Sequence, residues 1–63
     1  MLVLGYKAGA DFNKATAAIS KHTGVSMHEA KKITDKIKSG ETVKLDYDFV
    51  LREDLEECKF FIT

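Results

Sequence analysis

Between Phe12 and Lys38 the apolar residues recur three and four positions apart, and between Glu41 and Phe49 they recur two apart. The first period belongs to helices and the second to strands. Phe12, Ala15, Ala18 and Ile19, with His22 as a weaker member, line one side of a helix running to about Thr23. That stripe is mostly alanine, so another backbone can approach it closely. Asp11 stands where an N-cap carboxylate would accept the first free amides. Gly24 supplies the left-handed residue that ends a helix at little cost. A second helix follows at once. Ser26 and Glu29 have the spacing of a capping box, and Val25 and Ala30 that of a hydrophobic staple. Met27, Ala30, Ile33 and Ile37 form its stripe. Lys36 and Lys38 crowd the last turn, where the helix dipole favours cations, and Gly40 closes it.

The flanks complete the pattern. Residues 2–7, LVLGYK, predict a first strand, with Gly5 as a weak spot or a point of close approach. In ETVKLDYDF, residues 41–49, Val43, Leu45, Tyr47 and Phe49 alternate with Lys44, Asp46 and Asp48, which predicts a strand with one wet face. Leu51, Leu55 and Cys58 fall at i, i+4 and i+7 and predict a short helix over 50–58, against which a broad acidic turn competes. KFFIT, residues 59–63, predicts the last strand. The order β-α-α-β-α-β implies a single α+β domain over 1–63, a small three-stranded sheet with helices packed on one face.

Composition narrows the function. A chain of 63 residues buries only about 60% of its unfolded surface, which leaves little room for an enclosed active site. No charged-then-apolar leader is present and no apolar run approaches the roughly 20 residues of a membrane span. Cys58 is the only cysteine, so neither a disulfide nor a Cys-x-x-Cys metal pair can form within the chain. A cytoplasmic, soluble domain without a cofactor is the expectation. Net charge is zero, yet residues 1–40 hold seven lysines against Asp11, Glu29 and Asp35, a net of +4. Residues 41–63 hold Lys44, Arg52 and Lys59 against seven carboxylates, a net of −4. Such asymmetry can steer a partner towards one end of the molecule.

The densest chemistry lies in HTGVSMHEAKK, residues 22–32. A zinc-protease helix carries His-Glu-x-x-His, with two imidazoles on one face. Here the run is His28-Glu29-Ala30-Lys31-Lys32, and Lys32 occupies the second ligand position. His22 could approach His28 across the turn, but a third ligand is missing, so no metal is expected. Cys58 has the spacing of a small core residue, and Ser20, Ser26 and Ser39 have structural explanations. Gly5 and Gly9 lack the Gly-Lys-Ser/Thr ending of a phosphate loop. Enzymatic activity is not expected. ISKHTGVSMHEAKKI also resembles a bacterial helix-turn-helix, in which Met27, His28, Lys31 and Lys32 would face the major groove. Against a DNA-binding regulator stand the strand ahead of the pair, a long second helix, zero net charge, and a single Arg outside the motif.

A second resemblance covers nearly the whole chain. AAISKHTGVSMHEAKKITDKI resembles the helix pair in the C-terminal domain of the bacterial ribosomal stalk protein, matching at Ile19, Thr23, Gly24, Glu29, Ala30 and Lys31. The Clp protease adaptor shares that architecture, but KAGAD stands where the adaptor has its acidic loop. The resemblance implies a helix pair that docks onto other proteins, in the stalk's case translational GTPases, with Lys21, Thr23, Gly24 and Lys31 on the docking surface. No dimerisation region or hinge precedes the domain, which argues against a stalk subunit itself. The expected function is a small interaction module that binds a translation factor or another host protein through a basic helix hairpin. Lys14, Lys21, Lys31 and Lys32 would supply attraction, and Met27 and His28 contact. Size and composition suit a regulator or inhibitor encoded by a phage or mobile element. A third expectation is self-association through Phe60, Phe61 and Ile62 near a sheet edge.

Overall fold

A computed structural model describes all residues from Met1 to Thr63. The elements follow the expected order: β1 (Leu2–Tyr6), α1 (Phe12–Thr23), α2 (Met27–Lys38), β2 (Val43–Lys44), α3 (Phe49–Glu57) and β3 (Phe60–Ile62). β1 is central and both neighbours run antiparallel to it, in the order β2-β1-β3. β2 and β3 therefore run in the same direction, and α3 is the crossover that joins them past the central strand. α1 packs against α2 and α3, α2 against β1 and β2, and α3 against β3. The result is an α+β fold with one layer of helices on one layer of sheet. No helix is long and apolar enough to cross a membrane.

The helix boundaries are set by side chains that satisfy free amides. Asp11 accepts from the Lys14 amide at 2.9 Å and Ser26 from the Glu29 amide at 3.1 Å. The capping box at Ser26 is only half made, because the Glu29 carboxylate lies 3.7 Å from Lys32 Nζ instead. Gly24 ends α1 at φ 80°, its amide donating to the Ser20 carbonyl. At the end of α2 the Gly40 amide donates to Ile37 and the Glu41 amide to Lys36, the paired bonds of a Schellman motif.

A bulge in β1 decides which side chains enter the core. Val3 pairs with Ile62, but Gly5 pairs with Phe61 and Tyr6 with Phe60, so β1 spends one extra residue, Leu4, over that step. The extra residue reverses the in–out alternation. Val3 and Tyr6, three apart, both turn towards the helices. There the Tyr6 ring meets Phe12 at 4.8 Å between centroids and Phe12 meets Phe60 at 5.3 Å, both edge-to-face, the favoured arrangement for such rings. Nothing lies within 4 Å of where a Gly5 Cβ would sit, so Gly5 belongs to the bulge and is not a point of close approach.

The core combines Val3, Ala15, Ala18, Ile19, Ala30, Ile37, Leu51, Leu55, Cys58 and Phe60. Two expectations fail around it. The strand over 41–49 shrinks to Val43–Lys44, extended by Leu45, which exchanges backbone bonds with Met1 in both directions. From Asp46 the chain leaves the sheet, and Asp48 caps α3 by accepting from the Leu51 amide at 2.9 Å. Tyr47 and Phe49, expected on the dry side of a strand, are exposed. Among Phe60, Phe61 and Ile62, only Phe61 is exposed; Phe60 is buried and Ile62 half-buried, so that strand presents one apolar contact and not three.

Candidate functional site

Helix periodicity distributes the lysines over several surfaces. On α1, Lys14 and Lys21 lie seven apart and share one flank. That flank faces α3, where with Ala17, Ala18, Asp54 and Glu57 the two lysines line a shallow groove. The basic face expected on the outside is here set opposite the acidic third of the chain, with no ion pair closing within 4 Å.

His22 bridges the same two helices. Its Nε2 lies 3.2 Å from Asp54 Oδ2, with the imidazole 16% exposed and the carboxylate 38%. This places His22 on the α3 side of the hairpin, whereas His28 lines the opposite groove between α1 and α2. The two histidines do not approach each other, and no cluster of three or more metal-ligating side chains forms.

The α1–α2 groove is the largest concavity, at about 530 Å³. Phe12, Asn13 and Thr16 of α1 line it, with Met27, His28, Lys31, Thr34, Asp35 and Lys38 of α2. Its floor is a buried hydroxyl pair, Thr16 Oγ1 and Thr34 Oγ1 at 2.9 Å. Thr16 also reaches the Phe12 carbonyl at 2.7 Å, and Thr34 the Lys31 carbonyl at 3.0 Å. Two hydroxyl protons serve three contacts, so at most two of the three carry a proton at once, and either hydroxyl can donate to the other. The hydroxyls let α1 and α2 meet closely without leaving either oxygen unpaired in the interior.

The groove's rim is charged and its mouth apolar. Lys31 Nζ lies 3.6 Å from Asp35 Oδ1 with both groups exposed, a pairing worth only about 0–1 kcal/mol. Lys38 Nζ sits 5.4 Å from the centroid of the Phe12 ring, within cation–π range. Met27 is 55% exposed, although it stands on the predicted apolar stripe. Its place in the core is taken by Thr34, which periodicity counted only among apolar residues had passed over.

The remaining candidate residues lie elsewhere. Thr23 lines a hollow of about 440 Å³ between the helix turn and the 44–48 loop, and its hydroxyl donates to the Ile19 carbonyl at 2.6 Å. Gly24 forms the turn beside it. Lys32 projects from the outer side of α2 next to Glu29. Of the predicted set, Met27, His28 and Lys31 come together, and Lys14, Lys21, Thr23, Gly24 and Lys32 do not join them. The groove adds Phe12, Asn13, Thr16, Thr34, Asp35 and Lys38. Asp35 and Lys38 follow Lys31 at i+4 and i+7, so helical spacing alone would have found them.

No protein-family model, curated protein or solved structure matches this chain. The functional reading therefore stands on the groove's own chemistry.

The thiol of Cys58 contributes nothing to these surfaces. It is buried beneath α1 and α3. Burial raises its pKa above the ordinary 9.0, and Asp11, Asp54 and Glu57 push the same way while Lys14 opposes them. A buried, protonated thiol is a small apolar core group, not a nucleophile.

Proposed function

We propose that this chain is a protein-binding module whose α1–α2 groove captures an acidic segment of another protein. The observation that supports the reading is the combination in that groove of an exposed Met27, a Phe12 wall and the cations of Lys31 and Lys38. Methionine is unbranched and adapts to varied apolar surfaces. Surface lysines bring an acidic partner in and fix its orientation, while the apolar centre supplies most of the affinity. The resemblance to the ribosomal stalk domain points to the same use of the helix pair, with a translation factor or another host protein as partner and a phage or mobile-element regulator as the setting.

Affinity capture from the native cell lysate, with and without nuclease, tests this reading. Wild-type chain is expected to retain its partner after nuclease treatment, and Lys31→Glu combined with Lys38→Glu to lose it with the fold intact. A partner that disappears with nuclease, together with DNA binding that weakens steeply as salt rises, would move the chain to the helix-turn-helix class.

A further inference from the structure

Two apolar patches outside the groove carry opposite charge. The side of the sheet facing away from the helices shows Leu2, Leu4 and Phe61, which are 40–47% exposed. Lys44 stands opposite Leu2 in the ladder, and Lys7 Nζ lies 5.6 Å from the centroid of the Phe61 ring. The second patch is Tyr47, Phe49 and Val50, exposed to 63%, 61% and 53%, and it lies among Asp46, Asp48 and Glu53. Together the patches hold six of the eight large apolar residues that the chain exposes, so apolar surface is concentrated there and not scattered.

Both patches are exposed, so they do not cover each other within one molecule. Phe49 and Glu53 are each two positions from Leu51, about 200° around the helix, and Leu51 is fully buried in the core. They therefore face away from the core and from the sheet beneath it. Phe49 and Glu53 thus lie on the outer side of the helix layer, whereas Asp46, Tyr47 and Asp48 stand at the edge of the molecule, around the hollow that Lys44 also lines.

We propose that the open sheet face of one copy receives the Tyr47–Val50 patch of a second copy, in a head-to-tail contact. Leu2, Leu4 and Phe61 provide the apolar seat for Tyr47 and Phe49, and Lys7 and Lys44 meet Asp46 and Glu53. Charge selects this pairing over two sheet faces together, which would oppose lysine to lysine. Edge pairing is poorly served, because β2 and β3 are two and three residues long and offer few free ladder groups. Since the joined surfaces differ, a single contact is heterologous and leaves one patch free at each end, so it propagates into a ring or an open chain unless two reciprocal contacts close a pair. It makes no use of the α1–α2 groove, so it stands or falls separately from the capture function.

Sedimentation of the full chain tests the contact. Weight-average mass is expected to rise with concentration at about 0.01 M salt and to return to the monomer value at about 1 M, as the Debye length falls from ~30 Å to ~3 Å. Lys7→Glu with Lys44→Glu makes both patches acidic; Asp46→Lys with Glu53→Lys makes both basic. Each double variant alone is expected to stay monomeric with a wild-type circular dichroism spectrum, and an equimolar mixture to associate again. Wild-type chain that remains monomeric at millimolar concentration and low salt overturns the proposal. So does undiminished association of either variant alone, or a mixture that fails to restore it.

Discussion

The helix hairpin and the acidic third that follows it are built from opposite materials. In α1 and α2 the buried side chains are largely small: Ala15, Ala18, Ala30 and the Thr16–Thr34 pair, with Ile19 and Ile37 as the large members. In α3 two fully buried leucines, Leu51 and Leu55, hold the helix to the rest. Small residues bring backbones close and leave no room to grow, whereas large ones fill volume and cannot be removed. The two regions should therefore fail under opposite substitutions. Leu55→Ala should cost about 2–5 kcal/mol through lost burial and the cavity left behind, a large share of the roughly 5–15 kcal/mol that stabilises a typical domain. Ala30→Leu should cost about 1–3 kcal/mol by overpacking. Denaturant titration of both variants checks the pair; an Ala30→Leu variant as stable as wild type would show that the hairpin is not tightly closed.

The helix starts sharpen the contrast, because here the two regions use the same device. Ser26→Ala and Asp48→Ala each remove one cap acceptor and should each cost about 1 kcal/mol. Equal losses in thermal unfolding would show that the acidic loop is as firmly tied to α3 as the turn is to α2. At the helix ends the regions differ again. Gly24 and Gly40 take positive φ, but after α3 that conformation falls to Lys59, at φ 71°, which a side chain disfavours. Lys59→Gly should stabilise the fold by about 0.5–1 kcal/mol, the gain from relieved strain exceeding the added freedom of the unfolded chain. A drop in melting temperature would contradict this.

Cys58 gives the mildest test, and one that depends on pH. Its folded pKa is raised, so the folded state keeps its proton where the unfolded chain has begun to lose it. The associated stability is complete below the ordinary thiol value of 9.0 and declines as pH rises through the raised one. Unfolding titrations at neutral and alkaline pH should show that decline, and Cys58→Ser should flatten it. Alkylation of the thiol at neutral pH should proceed far more slowly in the native state than in denaturant.

The same division governs how much could be read from sequence. The hairpin was legible because periodicity, caps and glycines agree over Asp11–Gly40, each at its expected place. The acidic third was legible only in outline. Alternation over 41–49 predicted a strand through Phe49, but a cap at Asp48 competes with a strand for the same residues and wins. The β1 bulge was invisible because alternation carries no mark for an inserted residue when Leu4 and Gly5 suit either face. The groove was half legible: Met27, His28 and Lys31 were expected together, while Thr16 and Thr34 were missed because a threonine on an apolar stripe is buried only when another hydroxyl or carbonyl meets it. Lys14 and Lys21 were expected beside Lys31, but their flank faces α3; the helix face was readable and its neighbour was not.

That last difference supplies the decisive experiment. Partner capture should be measured side by side for wild type, for Lys31→Glu with Lys38→Glu, and for Lys14→Glu with Lys21→Glu. Each double change alters charge by the same amount, so bulk electrostatics cannot separate the variants. If the α1–α2 groove is the docking surface, the first variant loses capture and the second largely keeps it. Loss in the second with retention in the first would place the partner against α1 and α3 and contradict the groove.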